Sequence, residues 1–370
     1  MLSGEEGIKL PATVLGLMSG TSLDGIDVAC LTSDGESLIE AGPWATYPYD
    51  ARVRETVRGV LGGEGAVAEA ERALTLAHVA AVERFRESHA LAADAIDLIG
   101  FHGHTILHRP HEGRTWQIGD GAALARATGI DVVNDFRSAD VAEGGEGAPL
   151  APLYHAALAR ELPHPLAVLN LGGVANVSWI GEDGAVLAFD TGPANAPIDD
   201  WVRRHTGQGM DADGKIARTG TVDRATLAVL LAHPYFTRPP PKSLDRDDFA
   251  WRMVERLGLA DGAATLTAFA AAAVAAGSGY FPRPPRRWLA TGGGRHNPAL
   301  MAALAASLGM PVEPVEAVGW QGDALEAQAF AWLAVRSRRG LPLSLPSTTG
   351  VRRPVSGGRF HPAGARMQPN

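Results

Sequence analysis

The chain has a single cysteine, Cys30, in 370 residues. One thiol excludes an internal disulfide framework and any cysteine-built zinc cluster. Its place in an apolar run assigns it to the core. Basic excess is missing as well. The 33 Lys and Arg residues face 41 Asp and Glu residues, a net charge of −8, so a nucleic-acid partner has no electrostatic support. The longest strongly apolar segment, Ala268 to Ala276, is too short to cross a bilayer and, being mostly alanine, reads as a packed helix, so no membrane partner is expected. Met1 to Lys9 carries Glu5 and Glu6 and no apolar stretch, which argues against an export signal and for the cytoplasm. Familiar motifs are missing too: there is no G-x-G-x-x-G after a strand, no G-x-S-x-G elbow and no H-E-x-x-H helix. Gly209 to Ile216 comes near a P-loop, but Ile216 replaces the metal-binding hydroxyl and no apolar strand precedes it. What remains is a globular chain, 46% hydrophobic and 20% charged, long enough for two domains.

Present instead are three apolar runs that end in glycine turns. Val14 to Leu31, VLGLMSGTSLDGIDVACL, brackets a hydroxyl-rich turn, Ser19-Gly20-Thr21-Ser22-Leu23-Asp24-Gly25, between two strand-like runs. Gly20 and Gly25 let backbone N–H groups come close to a polyphosphate, and Thr21 and Ser22 add hydroxyl donors. Asp24 would repel phosphate unless a divalent cation or its water shell lay between them. Ala185 to Asn195, AVLAFDTGPAN, brings one carboxylate, Asp190, and Gly192 to a strand end, where open α/β sheets bind ligands. Trp288 to Pro298, WLATGGGRHNP, ends in Gly292, Gly293 and Gly294 before Asn297 and Pro298, a good helix start. Together the three suit the parts of a nucleotide: a phosphate hairpin, a phosphate and metal turn, and an adenosine turn. Each alone reads more readily as an ordinary β-turn.

Strand-like runs at Leu15 to Met18, Leu98 to Phe101, Leu166 to Leu171, Val186 to Phe189 and Trp288 to Ala290 alternate with helical patterns such as Glu69 to Ala92. That is an α/β chain. Leu166 to Ile180, LAVLNLGGVANVSWI, repeats the layout of Val14 to Leu31, with Gly172 in its turn, and reads as an internal duplication. Arg238 to Ser243 and Pro282 to Arg287 are proline-rich connections, and the tail from Leu341 is rich in Pro, Ser, Gly and Thr. In Asp323 to Arg336, Glu326 shares a stripe with Ala329, Phe330 and Leu333. Two readings stay open for it: a substrate carboxylate on an inward face, or the third residue of a capping-box-like start at Asp323. His102, His104, His108 and His111 lie close in sequence, but the intervening Gly103, Thr105 and Pro110 fit a strand and turn better than a metal site.

Read in order, GLMSGTSLDGIDVA, FHGHTILH, GEGAPLAPLYH, LNLGGVANVSWI, AFDTGPANAPIDDW, PPPKS, TGGGRHNP and EAQAFAWLA resemble the anhydro-N-acetylmuramic acid kinases over nearly the whole chain from Val14. The resemblance implies the α/β, two-domain actin-like ATPase fold of sugar kinases and heat-shock chaperones, its duplicated domains set around a nucleotide cleft. The domains expected are 12–134 with a returning 338–362, and 135–337. The implied reaction converts 1,6-anhydro-N-acetylmuramic acid, ATP and water into N-acetylmuramic acid 6-phosphate and ADP in cell-wall recycling. It implies Asp190 as the base that activates water. Ser19, Gly20, Thr21, Ser22, Leu23, Asp24, Gly25 and Asp27, with Gly172, Gly192, Gly292, Gly293 and Gly294, would line ATP, and His102, Thr105, Arg137 and Glu326 the sugar. Magnesium is expected through water with no assigned protein ligand, and a homodimer is expected. The family often has Gln where His104 stands, more basic residues where Arg137-Ser138-Ala139 stands, and Gly where Ala194 stands. Two rivals remain at this level: an ordinary sugar kinase that opens no ring, and a non-catalytic actin relative that uses ATP as a switch.

Overall fold

The computed structural model describes residues 8–20, 23–245, 248–249 and 251–364. Chain contacts divide it into two compact units, unit 1 from the described residues of Met1–Arg160 and Ala324–Asn370, and unit 2, Glu161–Asp323.

In unit 1 the apolar strands β1 (Ala12–Met18) and β2 (Gly25–Ser33) form an antiparallel hairpin, with Met18 opposite Asp27. β3 (Ile39–Pro48) pairs with β2, followed by α1 (Ala51–Arg58) and α2 (Val67–Ser88). β4 (Leu98–Phe101) returns parallel to β1. β5 (His104–Arg109) and β6 (Arg114–Ile118) make a separate hairpin, and after α3 (Gly121–Thr128) comes β7 (Val132–Asn134), parallel to β4. α4 (Ser138–Ala142) and α5 (Pro152–Leu158) complete this part. Apolar residues of α2 at helical spacing, Ala70, Leu74, Ala81 and Phe85, are buried in one core with Leu15, Leu17, Ile99 and Phe101 of the sheet.

Unit 2 runs β8 (Leu166–Leu171), β9 (Val174–Ile180), β10 (Val186–Pro193), α6 (Asn195–Thr206), α7 (Arg224–Leu231), α8 (Leu259–Ser278), β11 (Arg287–Thr291), α9 (Pro298–Leu308) and β12 (Val312–Pro314). Its sheet order is β10-β9-β8-β11-β12, with the first three strands antiparallel in sequence and the last two parallel to β8. α8, apolar and long enough to span a membrane by length alone, is largely buried in the unit, as the alanine run had implied. Gly262 on it lies under Trp201, where a Cβ would come within 2.5 Å of the indole.

The chain then returns to unit 1 with α10 (Leu325–Arg338), α11 (Pro346–Thr349) and β13 (Arg359–His361). The unit 1 order is β13-β7-β4-β1-β2-β3, so both sheets run third-second-first-fourth-fifth in their own strand sequence. This repeated topology is the duplication glimpsed in the two hairpin motifs, and it is the actin-like α/β fold.

The unit boundaries differ from those expected: 135–160 and 324–337 belong to unit 1. The reason is physical. α10 lies on β1, β2 and β4, and it lies close because Gly16 and Gly100 are register partners. A Cβ on Gly16 would meet the Ala327 carbonyl oxygen at 1.7 Å, and one on Gly100 the Phe330 oxygen at 2.2 Å. The segment after β7 is held by the buried Asp140, whose carboxylate accepts the Gly147 N–H at 2.6 Å, the Thr349 hydroxyl at 2.6 Å and the Ser344 hydroxyl.

Candidate functional site

In unit 1 the β1–β2 turn carries Ser19, Gly20, Leu23 and Asp24, while Thr21 and Ser22 lie outside the described residues. Among the described residues of this turn Leu23 is left-handed, at φ 56°, and Gly25 is not. Gly25 is needed for another reason: a Cβ there would come within 2.7 Å of the Tyr47 carbonyl on the neighbouring strand. Asp24 is exposed and its Oδ1 accepts the Gly25 N–H at 3.0 Å. Asp27 takes the Thr46 hydroxyl at 2.6 Å across the β2–β3 pair. Ser19 is buried at the root of the turn, where its Oγ accepts the Tyr49 hydroxyl at 2.6 Å and shares a hydrogen bond with His104 Nδ1 at 2.9 Å. Burial pushes His104 down to about 4 and raises Tyr49 above its ordinary value, so both groups are neutral at pH 7.

His102 and Arg137 meet in the same unit. His102 Nδ1 donates to the Gly103 carbonyl at 3.0 Å, so its Nε2 is the acceptor for Arg137 Nε and Nη2 at 3.2 and 3.0 Å. Burial and the neighbouring guanidinium hold the imidazole well below its ordinary pKa. Arg137 also donates to the Gly147 carbonyl at 2.8 Å. The Phe330 ring lies 4.5 Å from the His102 ring and 5.9 Å from the guanidinium carbon. Glu326 stands one helical turn before Phe330, half-buried in the first turn of α10. His102, Arg137 and Glu326 are thus presented by the residue just after β4, the α4 N-terminus and one face of α10. Thr105 is set apart on β5, its hydroxyl accepting from Gln117 at 3.2 Å. Asp323 does not cap α10: the N-cap is Ala324, and Asp323 is ion-paired with Arg295 at 2.8 Å. Among the described residues no group of three or more His, Cys, Asp or Glu side chains is arranged for a metal ion.

In unit 2, β8, β10 and β11 point the same way, so their glycine turns leave one edge of the sheet. Asn195 joins two of the turns, donating from its side chain to the Leu171 carbonyl at 2.8 Å and from its N–H to the Gly172 carbonyl at 3.0 Å. Gly292, at φ 76°, sits where a Cβ would lie 2.3 Å from Asn170 Oδ1, and one on Gly294 would lie 2.7 Å from Leu171 Cβ. Gly293 has open space in that direction. Asn297 caps α9 as its sequence implied, accepting from the Ala299 and Leu300 amides.

Asp190 lies at a β-bulge near the end of β10, only 7% exposed. Gly192 follows it, and a Cβ there would press within 2.7 Å of Ala273 on α8. The segment from Tyr235 to Leu244 grips Asp190. Its own N–H donates to the Lys242 carbonyl at 2.9 Å, the Leu244 N–H donates to Oδ2 at 2.8 Å, and the Tyr235 hydroxyl donates to its carbonyl. A buried carboxylate so held can point a lone pair at one reacting molecule without rotating.

The family model for anhydro-N-acetylmuramic acid kinase matches residues 12–363. The chain belongs to this family. A kinase of that name from Paramagnetospirillum magneticum is 59% identical over 94% of this chain and 99% of its own, and one from Rhodospirillum rubrum is 56% identical over 94% of each. Among solved structures, the (R)-2-hydroxyglutaryl-CoA dehydratase component A of Acidaminococcus fermentans is 12% identical, covering 89% of this chain and 99% of that one, with a TM-score of 0.49.

Within an anhydro-N-acetylmuramic acid kinase of this sequence, two side chains stand at the candidate sites that sequence reasoning did not name. Tyr49 reaches Ser19 from 30 residues away, and Lys242, read only as part of a proline-rich connection and a motif, is 1% exposed beside the strand of Asp190. The one available signal for Lys242 was an isolated lysine following three prolines.

Proposed function

We propose that this chain phosphorylates 1,6-anhydro-N-acetylmuramic acid with ATP while adding water across the anhydro bridge. Asp190 takes a proton from water, the water oxygen bonds to the anomeric carbon, and the bond from that carbon to the bridge oxygen breaks. The bridge oxygen takes the γ-phosphoryl group, and ADP leaves. The observation that carries this reading is the seat of Asp190: one carboxylate, buried and oriented by the Leu244 N–H, on the sheet edge from which the glycine turns leave. A general base must be held in reach of its proton before its basicity matters.

On this reading the turn from Ser19 to Asp27 binds the ATP phosphates, and the glycine turns at Gly172, Gly192 and Gly292 to Gly294 admit the nucleotide backbone-close. His102, Thr105, Arg137 and Glu326 contact the sugar, with the Arg137 guanidinium the cation available to a lactyl carboxylate. Magnesium bound with ATP would neutralise part of its charge. Asp24, exposed in the turn, is the carboxylate that would face its water shell. The protein acts in the cytoplasm as a homodimer.

Two experiments test the chemistry. Product made in heavy-oxygen water should carry the label at the anomeric hydroxyl; label in the phosphate would contradict attack at carbon. Asp190→Asn should retain ATP and sugar binding in calorimetry while turnover falls by roughly a hundredfold to ten-thousandfold, the usual worth of a positioned base. Near-normal turnover by the folded variant would remove Asp190 as the base. Loss of ATP binding alone would reassign it to the magnesium shell.

A further inference from the structure

Lys242 is an unusual buried group. It is 1% exposed, and its ammonium donates a hydrogen bond to the Tyr235 carbonyl at 3.0 Å. Three ring faces surround it, Tyr235 at 4.5 Å, Tyr280 at 5.0 Å and Phe189 at 5.9 Å. Phe189 is the residue before Asp190, and Tyr235 donates its hydroxyl to the Asp190 carbonyl. The same Lys242 accepts the Asp190 N–H on its own carbonyl, and two residues on, Leu244 donates to the carboxylate. The ammonium therefore joins the two ends of the segment that grips Asp190. Aromatic faces and a carbonyl stabilise a cation there, and a neutral amine would lose most of that attraction.

We propose that Lys242 is a positioning residue for Asp190, its protonated ammonium holding the Tyr235–Leu244 segment in the shape that aims the carboxylate. This rests on the reading of Asp190 as the base. Among the described residues, the titratable and charged groups around the ammonium are Tyr235 and Arg238 on the turn before it, Tyr280 after α8 and, through the backbone, Asp190 on β10. Burial first and Arg238 second push the Lys242 pKa down to about 8. The cation is present below that pH and lost above it, so the clamp and turnover should fail on the alkaline side.

The experiment is steady-state turnover from pH 6 to 10, read as kcat, with the wild type, Lys242→Met, Tyr235→Phe and Asp190→Asn side by side. Wild-type kcat should decline above about pH 8, and Lys242→Met should lose roughly ten- to a hundredfold in kcat, the cost of a small misplacement. The variant should also lack the alkaline decline and keep the ATP affinity of the wild type. Tyr235→Phe, which keeps the ring and the carbonyl but not the hydroxyl, should lower kcat with ligand binding intact. A wild-type kcat that stays level to pH 10 overturns the inference, and does so even if Lys242→Met fails to fold. So does a Lys242→Met protein with wild-type kcat and the same alkaline decline. If Asp190→Asn turns over normally, the base reading has failed and takes this inference with it. If Asp190→Asn is inactive while Lys242→Met is normal, the inference fails alone.

Discussion

Ser19 is held by two side chains from distant parts of unit 1, Tyr49 and His104. Because Tyr49 stays a phenol and His104 a neutral imidazole at pH 7, the hydroxyl at the root of the β1–β2 turn is held by two neutral partners, in place for the proposed contact with phosphate. Tyr49→Phe removes one hydrogen bond and leaves the ring in the core. It should raise the KM for ATP by about two- to tenfold, the worth of a single net hydrogen bond, and leave the sugar KM alone. Initial rates with each substrate varied in turn distinguish the two, and a change confined to the sugar would take Ser19 off the nucleotide. His104→Gln keeps a donor and an acceptor and should be milder than His104→Leu. The turn at Ser19 was legible because a hydroxyl in a Gly-bounded segment between two apolar runs advertises a hairpin. Tyr49 was not, since nothing in a strand-to-helix loop marks which tyrosine folds back on which serine.

At the scale of elements, the apolar runs found their strands and the amphipathic runs their helices, for periodicity reports what each segment buries. What periodicity does not report is the partner surface. Glycines were read as turn residues, and several are, but Gly16 and Gly100 sit inside strands as the floor on which α10 rests. The capping-box reading of Asp323 failed in a related way: Arg295, 28 residues earlier, takes that carboxylate through an ion pair. Gly16→Ala should destabilise the protein by about 1–3 kcal/mol or more, because the Ala327 carbonyl is backbone and cannot swing aside. Gly209→Ala, where a Cβ meets nothing within 4 Å, is the matched control and should leave the melting temperature almost unchanged. Equal melting temperatures for the two variants would mean that α10 does not lie on that floor.

At the scale of the molecule, the two-fold repetition of topology was legible from two similar hairpins, whereas the unit boundaries were not, because segment 324–337 joins unit 1 through packing and carries no linker signal. Unit 1 also holds a set of histidines kept neutral by burial. His78, His104, His108 and His155 are each pushed down to about 4 from an ordinary 6.5. Between those values the unfolded chain binds protons that the folded one refuses, so stability falls as pH drops from 6.5 toward 4, by up to about 1.4 kcal/mol per pH unit for each group. Thermal melts across that range should show a steep loss, and hydrogen exchange should show the peptides of unit 1 opening first; a melting temperature that is level from pH 7 to pH 4.5 would contradict it. The return of α10 has one more consequence, for synthesis on the ribosome. Unit 2 is continuous from Glu161 to Asp323 and can fold as soon as it emerges, while the sheet of unit 1, begun earlier, waits for α10 and β13. At ordinary elongation rates that wait is roughly 10 to 40 s. During it the strand face around Gly16 and Gly100 has no helix over it, so the first part of the chain to be made is the last to be finished, and a nascent chain stalled within unit 2 exposes an uncovered apolar sheet to the chaperones that watch for one.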